Sequence, residues 1–176
     1  MLALNGSQQP SLCRMPVADG ITLVKVELDL QLEGFDAFLT PWVLWEDSPG
    51  KGVTFVVDPG PAATISQLVW ALEQLHVENV DYVLVTHVHI DHAGGLALLL
   101  RHYPGARVVA HPQGHQHLLD PSRLWEGSLK TLGDLAKAYG RIEPISASSL
   151  VSQGELPPSL QVIPTPGHAP HHQSYL

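Results

Sequence analysis

Short apolar runs alternate along the chain with stretches whose apolar residues recur every three or four positions, and the two periods predict different elements. Runs at 21–30, 38–45, 53–57, 80–85, 107–110 and 160–163 read as strands. Between the third and fourth, Ile65, Leu68, Val69, Leu72 and Leu75 share one helical face. A second helix is expected at about 95–102. A third follows Asp120, which is placed to cap it with Pro121 at the first position. Leu124, Trp125, Leu129, Leu132, Leu135, Ala136 and Tyr139 then keep helical spacing until Gly140. The Ser/Pro/Gly-rich segment 146–158 reads as a loop. Strands first and helix-strand units afterwards predict an α/β chain whose mixed sheet is covered by helices on one face. Residues 1–20 carry no such pattern and read as a loosely ordered leader, leaving 21–176 as the domain.

Composition narrows the class. With 176 residues, 44% of them hydrophobic, the chain suffices for one domain with a real core. No run of about 18 apolar residues occurs, and the leader lacks the basic-then-apolar order of a signal peptide. A membrane partner is therefore not expected. Seventeen acidic against nine basic residues give a formal charge of −8, without a Lys/Arg cluster, so nucleic acid is not an expected partner either. Cys13 is the sole cysteine, which excludes an internal disulfide and fits a reducing, cytoplasmic location.

The chemistry is concentrated in Thr86-His87-Val88-His89-Ile90-Asp91-His92-Ala93-Gly94-Gly95, directly after the run 80–85. Imidazole nitrogens and carboxylate oxygens are the usual non-thiol ligands of zinc. At the carboxyl end of a strand they face a crevice. In an extended stretch His87 and His89 project to one side and suit a single cation, while Asp91 and His92 follow the turn toward a second. Gly94 and Gly95 keep the following helical turn free of bulk. The competing explanation is chance gathering in a chain with 11 histidines, and the strand-then-helix context weighs against it.

This segment resembles the signature of the metallo-β-lactamase superfamily. Thr165-Pro166-Gly167-His168, after the apolar run 160–163, resembles the third motif of that family, and Phe55-Val56-Val57-Asp58-Pro59-Gly60 resembles the strand and turn that precede the signature. The resemblance implies an αββα four-layer sandwich, of which this chain would hold the N-terminal half and the start of the second. It implies that His87, His89 and His168 hold one metal, and that Asp91 and His92 contribute to a second. Asp58 would orient a ligand imidazole from behind, although an Asp before Pro-Gly is also an ordinary turn former. The implied cofactor is zinc, two ions per complete site, with iron or manganese as alternatives. The family's later bridging Asp and final His have no counterpart before Leu176, so a C-terminally incomplete domain is expected. Unpaired strand edges would then favour homo-oligomers.

Residues 120–125 and 168–172 resemble a glyoxalase-II-like (hydroxyacylglutathione hydrolase-like) branch. The implied activity is hydrolysis of a small ester, thioester or lactone by a metal-bound hydroxide, with Asp91 orienting the water and accepting its proton. An iron-dependent oxidoreductase such as a sulfur dioxygenase, or a non-catalytic metal-binding fragment, is the alternative. Trp125, His111 and His172 are candidates for the substrate pocket, though Trp125 lies on the helical stripe and fits the core as well. His111, His115 and His117 lack a carboxylate or thiol at ligand spacing and read as solvated or rim residues rather than another metal site. His171 is read as part of a polar loop, and His76 and His102 as helix-end residues.

Overall fold

The computed structural model describes residues 9–18, 20–35, 38–46, 52–151, 155–158 and 160–176. Its centre is a six-stranded sheet in the order β1 to β6: Ser11–Ala18, Ile21–Glu27, Trp42–Glu46, Thr54–Val57, Tyr82–Leu84 and Arg107–Val109. The first four strands form an antiparallel meander, and β4, β5 and β6 pair in parallel. Parallel neighbours need crossovers. The helix α1 (Ile65–Gln74) supplies the first, and the short α2 (Ile90–Ala93) with α3 (Leu96–His102) supplies the second. α4 (His115–Leu119), α5 (Ser122–Leu132) and α6 (Asp134–Tyr139) follow, and a hairpin of β7 (Val162–Pro164) and β8 (Gln173–Tyr175) ends the chain.

Strand alternation sorts the sheet into two faces. Val24, Val26, Val43, Val56, Val83 and Val108 point into the main core, where α1 buries Ile65, Leu68, Val69 and Leu72. Each such side chain contributes about 1.5–3 kcal/mol on leaving water. Phe55, Leu84 and Val109 point the other way, where Leu160, Val162 and Tyr175 of the terminal hairpin region cover them. The layers are thus helices, the six-stranded sheet and the two-stranded hairpin of β7 and β8. Among the described residues no helix is long and apolar enough to cross a membrane.

Four sequence expectations need correction. Residues 11–18, assigned to the loose leader, form β1 and pair with β2 from Ser11 opposite Glu27. Apart from half-buried Leu12, which packs against the core, its large apolar residues Met15 and Val17 are exposed. No apolar alternation therefore announced a strand that backbone pairing holds. The long helix expected up to Gly140 breaks at Gly133, whose φ of +59° and ψ of −121° lie outside the space of other residues. Asp120 does not occupy the cap: Pro121 does, and the Asp120 carboxylate accepts instead from the Ser122 N–H at 3.2 Å and hydroxyl at 2.6 Å. The strand expected at 38–45 starts only at Trp42.

Gly60 and Gly95 join the two loops that flank the sheet's carboxyl end. Gly60 has φ +88°, donates its N–H to the His92 carbonyl at 3.0 Å and accepts from the Gly95 N–H at 2.8 Å. A Cβ on Gly95 would lie 2.2 Å from Ile65 Cδ1 and 3.1 Å from the Gly60 carbonyl oxygen. Gly95→Ala is therefore expected to cost about 1–3 kcal/mol, the usual range for overpacking. Urea unfolding checks this, and a midpoint equal to wild type would refute the close approach.

Candidate metal centre

The centre is assembled at the carboxyl end of β4 and β5. β5 is followed by Val85, whose N–H donates to the Val109 carbonyl at 2.9 Å, so the chain stays extended into Thr86 and His87. His89, at φ −63° and ψ 150°, then turns the backbone into α2, whose first turn carries Asp91 and whose last carries His92. His168 arrives from the loop between β7 and β8. The ligand-capable atoms of His87, His89 and His168 all lie within 4.8 Å of one another. Among the described residues no other set of His, Cys, Asp or Glu meets that spacing.

Hydrogen bonds settle the tautomer of the buried member. The Thr86 hydroxyl has one proton and donates it to Asp58 Oδ2 at 2.6 Å. At 3.0 Å from His87 Nδ1, the same oxygen must then accept, so His87 carries its proton on Nδ1 and offers a lone pair at Nε2. That Nε2 is buried and has no hydrogen-bond partner. A buried nitrogen without a partner costs free energy, and a cation would remove the cost. His89 Nδ1 stands 3.0 Å from His168 Nε2. Two nitrogens on a tetrahedral zinc, with bonds of 2.0–2.1 Å, are separated by about 3.3 Å, so this edge already has ligand geometry. The donor set fits a divalent cation of zinc type.

Asp58 organises the side of the site nearest β4. Its φ of +48° leaves the β region, its Oδ1 accepts the Thr86 N–H at 2.8 Å, and its Oδ2 accepts from His92 Nδ1 at 2.9 Å. This fixes the ring of His92, whose Nε2 lies 3.5 Å from Asp91 Oδ2. Asp58 thus stands at a turn and hydrogen-bonds the His92 imidazole. Electrostatics follow the geometry. Burial first, then the neighbouring imidazoles of His92, His89, His168 and His172, push the His87 pKa down to about 2. His89 is also lowered, by burial and then by His168. His92 is the exception: burial lowers it, but the hydrogen bond and charge of Asp58, with Asp91, outweigh burial and raise it.

The remaining candidates separate. The ring of His172 lies 5.2 Å from that of His87 and its Nδ1 is 2.8 Å from the Thr165 hydroxyl, so it borders the centre. His111 caps a short 3-10 turn by accepting the Gln113 N–H at 3.2 Å, and His115 Nε2 donates to the Ala110 carbonyl at 3.0 Å. Trp125 packs against the main core and lines a cleft of about 530 Å³ whose lining includes none of the centre's histidines. His171 is buried with an unpartnered Nδ1, its ring 6.2 Å from His89, which a polar-loop reading did not foresee.

The sequence reading also missed the anchor of the His168 loop. The Gln173 N–H donates to the Thr86 carbonyl at 2.9 Å, its amide reaches the Val85 carbonyl at 3.2 Å and the Tyr175 hydroxyl at 2.6 Å, and that hydroxyl lies 2.7 Å and 2.9 Å from the carbonyls of Val85 and Val109. The Tyr175 proton serves one carbonyl at a time. Burial, the largest influence, raises this phenol far above its ordinary range. Tyr175→Phe is expected to cost about 1–3 kcal/mol in stability, because a buried amide and carbonyl lose a partner. It should also weaken zinc binding through the loosened His168 loop. Unpaired changes, with stability lost and zinc affinity intact, would show that the hairpin does not govern the centre.

The family model described as "Metallo-beta-lactamase superfamily" matches residues 38–176. A metallo-beta-lactamase fold-containing protein of Sulfurisphaera tokodaii is 31% identical over 137 residues, covering 72% of this chain and 50% of that protein. A hydroxyacylglutathione hydrolase of Aeromonas hydrophila is 33% identical over 120 residues, 68% of this chain and 37% of that one. The chain thus spans half or less of the length of these curated relatives. Among solved structures, an archaeal metallo-beta-lactamase superfamily protein from Sulfolobus tokodaii superposes with a TM-score of 0.62 at 29% identity, covering 77% of this chain and 54% of that chain. A subclass B3 metallo-beta-lactamase from a soil metagenome gives 0.60 at 26%, covering 96% and 58%. With the mixed sheet, the histidine centre and the match over most of its length, the chain belongs to the metallo-beta-lactamase superfamily.

Proposed function

We propose that this chain carries the metal centre of a hydrolase acting on a small ester, thioester or lactone, in the manner of the glyoxalase-II-like branch. The observation that carries the reading is the triangle of His87, His89 and His168, in which the buried Nε2 of His87 has no hydrogen-bond partner. A divalent cation held by these three histidines, zinc by the chemistry of the donor set, would supply Lewis acidity toward a carbonyl and lower the pKa of a water toward neutrality. The chain's own residues do the rest. Asp91 sits beside the triangle with its carboxylate turned toward His92, in position to orient a water and take its proton. Asp58 holds His92 and Thr86, and Thr86 keeps His87 in the tautomer that leaves Nε2 free. The relatives named hydroxyacylglutathione hydrolase support the thioester class. The lone Cys13 supports a cytoplasmic setting.

The test is thioester hydrolysis by the zinc-loaded protein, followed by thiol release, against Asp91→Ala. General-base participation predicts a fall in turnover of about 10²–10⁴ with the triangle's zinc retained. Near-wild-type turnover in the variant would remove Asp91 from the mechanism. Absence of turnover on esters, thioesters and lactones alike would refute the hydrolase.

A further inference from the structure

A pocket of about 240 Å³ opens beside the centre, with Asp58, Asp91 and His92 among its lining residues. The segment Phe38, Leu39, Thr40, Pro41 and Trp42 forms another wall, apolar apart from Thr40. That wall is held by the backbone independently of any ligand. The carbonyls of Leu39 and Pro41 accept the N–H groups of Leu28 and Val26, each at 2.9 Å, and the Leu39 side chain is buried in the core. Trp42 opens β3 opposite Val57, one residue before Asp58. Phe38 differs from the others. Its ring is 61% exposed and braced edge-on against Phe35 at 5.4 Å. An exposed aromatic at the mouth of an apolar pocket gains when a ligand group covers it.

The lining of this pocket combines carboxylates and an imidazole with aromatic and aliphatic carbon. It suits a ligand with the same combination, a reacting carbonyl followed by an uncharged apolar chain. At the ~30 Å³ a water-sized group occupies in a liquid, the volume takes about eight such groups. A second carboxylate on the chain would meet Asp58 and Asp91, which also border the pocket, with no Lys or Arg among the lining residues to pair with it.

Resting on the hydrolase reading above, we propose that this pocket is the acyl subsite, and that it selects neutral, apolar acyl groups of medium length over acetyl-sized or carboxylate-bearing ones. Phe38 is the specificity-determining residue at its mouth. The test uses zinc-loaded protein and calorimetry with two neutral zinc-binding probes, acetohydroxamate and hexanohydroxamate. Each methylene buried adds about fourfold in affinity, so the longer probe is expected to bind at least ~30-fold more tightly. In Phe38→Ala the ratio should fall below about tenfold, and Phe38→Leu should restore most of it. Phe38 is exposed, so neither variant threatens folding. Equal affinities for the two probes, or an unchanged ratio in Phe38→Ala, would overturn the subsite. Binding needs no turnover, which separates the two proposals. Chain-length preference without hydrolysis refutes the hydrolase and keeps the subsite, whereas hydrolysis without preference does the reverse.

Discussion

Replacing His87 with alanine is expected to weaken zinc binding by more than ~100-fold. Zinc sites in small domains are worth about 10–16 kcal/mol for four ligands, so one ligand accounts for roughly 3 kcal/mol. His87 is the proposed ligand least able to be replaced. It is 3% exposed, so water cannot readily take its place, and Thr86 has already set its tautomer for coordination. The metal-free protein should respond differently. There the substitution deletes a buried nitrogen that has no partner, so thermal stability should change little or rise. Competition with a chromophoric chelator reads the first effect, and thermal unfolding with and without zinc reads the second. His102→Ala, at the exposed end of α3, is the control. Near-wild-type zinc affinity in His87→Ala would mean that the triangle is not the metal site.

Asp58→Ala should damage both the fold and the centre, and Asp58→Asn should divide the two. Asp58 accepts from the Thr86 N–H, the Thr86 hydroxyl and His92 Nδ1. Hydrogen bonds to a charged acceptor are worth about 1.5–3 kcal/mol each, though they do not add simply. Alanine also has to hold φ +48°, a conformation that Asn and Asp tolerate better. A loss on the order of 3 kcal/mol or more is expected for alanine, lowering the melting temperature by roughly 6–12 °C in a domain of this size. Asparagine keeps an oxygen for the Thr86 N–H but cannot accept from both Thr86 and His92. It should leave the fold largely intact while lowering metal affinity or activity about 10–100-fold, as losses behind metal ligands do. Equal behaviour of Asn and wild type in zinc titration would reduce Asp58 to a turn residue.

Much of the candidate centre was legible in the sequence because most of its residues are local. His87, His89, Asp91 and His92 fall within six residues, and the apolar run before them announces a strand whose end faces a crevice. His168 lies 79 residues from His89, and spacing alone cannot join them. Only the family resemblance did so, and the structure shows the physical link in Gln173 and Tyr175, which tie the hairpin to Val85, Thr86 and Val109. Nothing in the local pattern marks Gln173 as almost fully buried. A polar side chain is placed inside by the carbonyls it finds there.

The same distinction explains the fold. The continuous apolar runs of β4 and β5 and the helical period of α1 were legible as burial patterns, because those residues had to find apolar neighbours. β1 was not, since its outward residues Met15 and Val17 stay exposed and its stability comes from backbone pairing with β2. The break at Gly133 was hidden because the apolar stripe continues on both sides of it. By itself the sequence determined the elements with a buried face, the histidine and carboxylate cluster and its place after β5. Tertiary structure alone decided which distant groups meet: the tautomer of His87, the hold of Asp58 on His92, the anchoring of His168 and the pocket that Asp91 shares with Phe38 and Trp42. These depend on hydrogen bonds and contacts between segments, and the free energy of such a contact exists only once the backbone has brought its partners within reach.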